Sequence, residues 1–230
     1  MRTETEGAAT APQTEVFRVK DCALVALATG RKARSLQEFR EVLRSIEAGS
    51  IYHHFWGGLL QPRFEEREFN NDFASWVRHG IHDAVLAERL AALHPARFVD
   101  LEELRTEILD LVDDRIDEAD HLLWTRPTEQ FEFICSQIVV FDTEIRLRHP
   151  RELAEHVSRM STSSIFYHFI DARRRTPDHQ DDFSDWLQAW GDEHRALLEA
   201  LAGVDPYFGS LAELRSELAT VCEAVHEGED

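Results

Sequence analysis

Apolar residues along most of the chain recur at steps of three and four. Leu36, Phe39, Leu43 and Ile46 follow this rule, then Leu86, Leu90 and Leu93, then Leu101, Leu104, Ile108, Leu111 and Val112. Such spacing lines one face of an α-helix, and it predicts helices near 21–30, 36–47, 51–60, 71–93 and 100–121, the fourth bent or broken near Gly80. Asp100 with Glu103 and Ser210 with Glu213 read as capping boxes, and Pro95 and Pro206 stop the helices before them. Ser50 and Ser164 read as N-caps of the helices that follow. Phe131-Glu132-Phe133 alternates as a strand would, and Val16 to Val19 does so weakly, so a short extended lead-in to each unit stays open. Taken whole, the pattern predicts an all-α fold.

The same pattern occurs twice. Ser50-Ile51-Tyr52-His53-His54-Phe55 aligns with Ser164-Ile165-Phe166-Tyr167-His168-Phe169, and Asn71-Asp72-Phe73-Ala74-Ser75-Trp76 aligns with Asp181-Asp182-Phe183-Ser184-Asp185-Trp186. Upstream, Phe17 meets Phe131 and Thr29 meets Thr143; downstream, Leu101 to Arg105 meets Leu211 to Arg215. Matches in one order over both halves mark a tandem duplication. The expected organisation is a disordered tail over 1–15, a helical unit over 16–122, a linker over 123–130 and a second unit over 131–226. The two homologous units are expected to form a pseudo-dimer.

Composition narrows the function. The 230 residues are 43% hydrophobic and 30% charged, which is globular. Acidic residues number 44 against 25 basic ones, a formal charge of −19, and such a surface repels nucleic acid. Cys22, Cys135 and Cys222 lie far apart without a CxxC pair, so neither a disulfide framework nor a zinc knuckle is expected. No apolar run nears the roughly 20 residues of a membrane span, and Met1 to Glu15 is not a signal peptide. A soluble, cytoplasmic protein with no membrane or nucleic-acid partner is expected. The sequence carries no P-loop, no G-x-G-x-x-G and no G-x-S-x-G.

The chemistry-bearing residues that both copies share are His54 with Asp72 and His168 with Asp182. A carboxylate on one imidazole nitrogen fixes the tautomer of a general base, but the same pair also serves as a polar pin between two helices. Both readings stay open, with Ser50, Trp76, Ser164 and Trp186 as the pocket neighbours of the pairs. His79 and His82 share a helical face, yet Ala189 and Asp192 replace them in the second copy, so no metal site and no cofactor are assigned. Arg173-Arg174-Arg175 forms a basic patch that reads as a solvated turn or an anion contact.

The stretches S-I-x-x-H-F and (N/D)-D-F-x-x-W, over roughly residues 16–226, resemble a prokaryotic all-helical domain family of unknown function. The resemblance implies the fold and the duplication and brings no activity with it. The function expected is that of a non-enzymatic helical module binding a partner protein or small molecule at or near the inter-repeat interface. An enzyme using one His–Asp pair as general acid/base, and a metal-binding helical protein, are the alternatives.

Overall fold

The apolar run at 22–28 and the segment at 134–140 do not coil but lie side by side. Strands β1 (Phe17–Ala33) and β2 (Phe131–Leu147), 17 residues each, pair antiparallel into a two-stranded ribbon. At the usual rise per residue its length is about 56 Å. The computed structural model describes residues 16–61, 68–176, 178–206 and 210–229, so the tail expected over 1–15 lies outside the described residues. The ribbon corrects two sequence expectations. The fold is mixed α and β rather than all-α, and segment 21–30 is strand rather than helix. The run at 22–28 is apolar at every position, so it shows neither period, and spacing alone does not separate a strand from a helix there. Cross-strand pairing with the β-branched residues Ile134, Ile138, Val139 and Val140 decides it.

The register places Leu24 opposite Ile138. These residues hold the same position in their repeats, so an approximate two-fold axis passes between them. Near each end the register slips. Residues 29–31 of β1 bulge opposite Phe133, and residues 143–145 of β2 bulge opposite Val19. The Thr29 hydroxyl donates to the Phe133 carbonyl, and the Thr143 hydroxyl donates to that of Val19 at 2.6 Å.

A helical lobe sits at each end of the ribbon. Lobe 1 comprises α1 (Leu36–Leu43), α2 (Ala48–Tyr52), α3 (Asp72–Trp76), α4 (Ala84–Ala91) and α5 (Leu101–Glu118). Lobe 2 comprises α6 (Arg151–Val157), α7 (Thr162–Ile165), α8 (Ala172–Arg175), α9 (Asp182–Gln188), α10 (Arg195–Ala202) and α11 (Leu211–Glu229). The helix expected over 71–93 is interrupted. α3 runs into a π-helical turn, Val77–Ile81, which ends at His82 in the left-handed region (φ 66°) before Asp83 caps α4. Among the described residues no helix is long and apolar enough to cross a membrane.

The strands exchange lobes. The start of β2 enters lobe 1, where Phe131 and Phe133 pack on Phe39 with ring centroids 5.5 and 5.6 Å apart. The start of β1 enters lobe 2, where Phe17 packs on Phe183 at 5.4 Å and Trp186 at 5.3 Å. Each lobe therefore closes its core with aromatic rings from the other half of the chain. Arg105 of α5 is buried and donates to the carbonyls of Leu43 and Ile46, so it satisfies the end of α1. Arg215 of α11 does the same in lobe 2 with the Met160 carbonyl, at 3.0 Å.

Candidate functional site

Both repeated histidines sit in π-helical turns, His53–Gly57 after α2 and Phe166–Asp171 after α7. Both repeated aspartates open a short helix, behind the caps Asn71 and Asp181, whose side chains each accept a backbone N–H at 2.9 Å. The structure brings the pairs together: His54 Nδ1 lies 3.0 Å from Asp72 Oδ2, and His168 Nδ1 lies 2.7 Å from Asp182 Oδ2. The second ring nitrogen is engaged as well. The backbone N–H of Ile134 donates to His54 Nε2 at 3.2 Å, and that of Lys20 donates to His168 Nε2 at 2.8 Å.

Those bonds set the tautomer. A nitrogen that accepts an N–H carries no proton, so each imidazole holds its hydrogen on Nδ1 and gives it to the carboxylate. Ile134 and Lys20 are equivalent residues of the two strands, and each N–H that reaches a histidine points away from the other strand. The histidines thus occupy outward donors of a ribbon that is all edge. At 3% and 2% exposure, with both nitrogens in use, neither ring accepts a substrate proton without first giving up a structural bond.

The expected pocket neighbours are core residues. Trp76 stacks on Phe39 at 5.2 Å, and its indole N–H donates to the Glu129 carbonyl at 2.8 Å. Trp186 is 7% exposed against Phe17. Ser50 and Ser164 are not N-caps, because Glu47 precedes α2 and Ser161 caps α7. The Ser164 hydroxyl instead donates to the Lys20 carbonyl at 2.7 Å, whereas Ser50 Oγ is buried with no hydrogen-bond partner among the described residues.

His53, His54 and Asp72 bring one donor atom each within 4.8 Å of one another, the arrangement that holds a metal ion. A metal on His54 Nδ1 displaces the bond to Asp72 and moves the ring proton to Nε2, directly against the Ile134 N–H. Lobe 2 has Tyr167 where lobe 1 has His53. As folded, His54 commits both of its ring nitrogens to hydrogen bonds.

Lobe 2 extends its pair into a network that the repeat pattern did not reveal. Asp171, which replaces Gly57 of lobe 1, is buried and accepts from Arg174 at 3.0 Å and Arg175 at 2.8 Å. Arg175 also donates to Asp182 at 2.9 Å. The Tyr52 hydroxyl reaches Asp171 across the lobes at 2.9 Å. Burial first, and the Asp171 charge second, push the Tyr52 phenol well above its ordinary range, so it stays a donor. The Arg173-Arg174-Arg175 patch is thereby engaged within the lobe, Arg173 on the Phe169 carbonyl at 3.2 Å, while Arg174 and Arg175 stay exposed beside Asp171.

A cleft of about 310 Å³ lies between the lobes over the centre of the ribbon. Cys22 and Ser136 face it from the strands, His53 and Gln61 from lobe 1, and Thr162 and Ser163 from lobe 2. His53 Nδ1 is 2.7 Å from the Ser136 hydroxyl. Burial foremost, with Asp21 and Asp171 adding, pushes the Cys22 thiol up to about 12, so it is no nucleophile at neutral pH. A wider groove of about 890 Å³ runs between α1 and the segment holding Trp124, Arg126 and Gln130, and its lining comes from the lobe 1 side of the molecule alone.

No curated protein matches the sequence. Among solved structures the fold is similar to that described as the structure of OrfY from Thermoproteus tenax, with a TM-score of 0.79 and 26% identity over 94% of this chain and 98% of that one. The model of a family of unknown function, DUF5752, matches residues 14–223. Since that match takes in the ribbon and both lobes, the chain belongs to the DUF5752 family of unknown function.

Proposed function

We propose that this protein is a non-catalytic binding module whose small-molecule site is the cleft between the lobes. The observation that carries the reading is the cleft's lining: it draws residues from both lobes and from both strands. A ligand there touches every rigid part of the molecule at once. The volume lies at the lower end of small-molecule sites, which run from about 300 to 1,000 Å³. The groups around it fit a compact ligand with a polar and an apolar side. Hydroxyls of Ser136, Thr162 and Ser163 and the Gln61 amide offer hydrogen bonds, while Leu24 and Ala26 offer apolar surface. The commitment of both histidine rings to the ribbon supports binding over catalysis.

Native mass spectrometry of the intact chain, followed by thermal melting against a metabolite library, tests this. A ligand present at about 100 times its Kd adds about 2.7 kcal/mol of stability, which a melting curve resolves. Ala26→Trp fills the cleft and is expected to abolish the shift. Retention of the ligand by that variant, or the absence of any retained or stabilising compound, overturns the reading.

A further inference from the structure

The duplicated lobes close one equivalent corner with different chemistry. In lobe 1 Asp83 caps α4, accepting the Leu86 N–H at 2.7 Å, and holds the Arg115 guanidinium of α5 at 2.8 Å. Val112 and Ile116, four residues apart on one face of α5, are buried. The repeat alignment places His194, Val225, Cys222 and His226 of lobe 2 at the positions of Asp83, Arg115, Val112 and Ile116. The ion pair is gone, and two imidazoles and a thiol replace an acid and two apolar side chains.

Those three side chains line one cavity of about 20 Å³ between α6, α10 and α11. It has room for about one water molecule or ion. His194 takes the place of a helix cap, yet its side chain makes no capping bond. It is 4% exposed, and its Nε2 is buried without a hydrogen-bond partner among the described residues. Such an atom is costly unless a ligand meets it. His54 is the contrast, with both of its ring nitrogens committed. Cys222 is buried as well, and His226, four residues on, shares its face of α11 and is half-buried.

We propose that this corner of lobe 2 binds a zinc-class divalent ion, held by His194 Nε2, the Cys222 thiolate and the His226 imidazole. A thiolate with two imidazoles suits zinc, or cobalt in its place, whereas magnesium and calcium take oxygen ligands. Binding forms the sulfur–metal bond and releases the thiol proton to water. Among the described residues three ligand atoms already lie within 4.8 Å of one another only at His53, His54 and Asp72. In lobe 2, therefore, His226 turns inward about its side-chain torsions to complete the set. Its place at the rim leaves the fourth position to water, as in zinc sites with three protein ligands. Arg151, the other cationic side chain in the lining, is exposed, so its charge stays in solvent. The corner shares no lining residue with the cleft between the lobes and stands independently of a ligand there.

Titration of the untagged, metal-stripped full chain with cobalt(II) tests the proposal. The expected result is a set of tetrahedral visible bands with a thiolate-to-cobalt charge-transfer band in the near ultraviolet, both displaced by zinc and not by magnesium. Cys222→Val, which installs the residue lobe 1 has at Val112, is expected to keep the parent's circular dichroism and to lose the charge-transfer band. His226→Gln, at the half-buried rim, is expected to fold as the parent does and to weaken cobalt binding more than tenfold. A parent that shows no charge-transfer band overturns the proposal. So does a band that survives in Cys222→Val, since the thiolate is then Cys22 or Cys135. Binding of undiminished strength in His226→Gln overturns it as well, because the ion then sits on other ligands.

Discussion

Phe131, the first residue of β2, lies 4.7 Å from the His54 ring, inside the lobe that the other half of the chain builds. Phe17 stands in the mirrored relationship, 4.9 Å from His168. Neither half contains its own complete core. A fragment ending before residue 125 lacks Phe131 and Phe133, both buried in the intact chain, and leaves Phe39 and His54 facing water. Such a fragment is expected to show no cooperative melting by circular dichroism, and to regain it when the complementary second half is added. A sharp transition in the isolated first half would sink this account of the core.

The exchanged aromatics also carry a stability expectation. Phe131→Ala and Phe17→Ala remove rings that are 6% and 7% exposed, and each is expected to cost about 3–5 kcal/mol in urea unfolding. Losses below about 1 kcal/mol at both positions would mean that the lobes close without them.

The helical part of the fold was legible because its signals are local. Asp100 and Ser210 accept from the N–H groups of Glu103 and Glu213, and those two carboxylates reach back to Val99 and Ser210, as the capping boxes implied. Of the ribbon only the starts of the strands were legible, as the extended lead-ins at Val16 to Val19 and Phe131 to Phe133. Its strands meet 98 or more residues apart in sequence, and the alternation that marks a half-buried strand is missing where the outer face is itself apolar. A repeat alignment also states which residues are equivalent, not which lobe they enter. It located His54 and His168 but passed over Tyr52 and Asp171, whose counterparts Phe166 and Gly57 lack the polar atoms.

The histidine pins are expected to show as energetic coupling. In His54→Ala the Ile134 N–H and Asp72 lose a partner together, and in Asp72→Ala the buried Nδ1–H is orphaned. Each change is expected to cost about 1–3 kcal/mol, and the double variant less than the sum. In lobe 2 Asp182 keeps Arg175 when His168 is removed, so that variant is expected to be the milder one. Additive losses in both lobes, measured by chemical denaturation, would show that the pairs do not act as units.

The bulges differ in one residue. Gly30 and Glu144 hold equivalent positions with φ of 72° and 65°, in the left-handed region that a side chain occupies at a cost of about 1–2 kcal/mol. Glu144→Gly is expected to be neutral or to stabilise by up to about 1 kcal/mol, because glycine relieves that cost but loses more chain entropy on folding. Gly30→Ala is expected to destabilise by about 1 kcal/mol, although its Cβ meets no atom within 4 Å. Equal melting temperatures for the two variants would mean that the bulge backbones relax freely.

Asp181 offers a test in pH. It caps α9 where Asn71 caps α3, yet it is only 2% exposed. Burial raises its carboxyl above the ordinary value, outweighing the lowering by the Ser184 N–H and hydroxyl and by Arg173. The unfolded carboxyl ionises near pH 3.9 and the folded one at higher pH, so through that window the native state binds more protons and stability falls as pH rises. Asn at this position carries no charge to desolvate, and lobe 1 shows that its amide can cap, with Asn71 Nδ2 donating to the Leu90 carbonyl at 3.0 Å. Asp181→Asn is therefore expected to gain on the parent between about pH 3 and about pH 7, the gain appearing just above pH 4. Urea unfolding at both ends of that range decides it. A difference between variant and parent that stays constant, or that moves against the variant as pH rises, would show that the capping carboxylate is stabilised by its helix rather than strained by its burial.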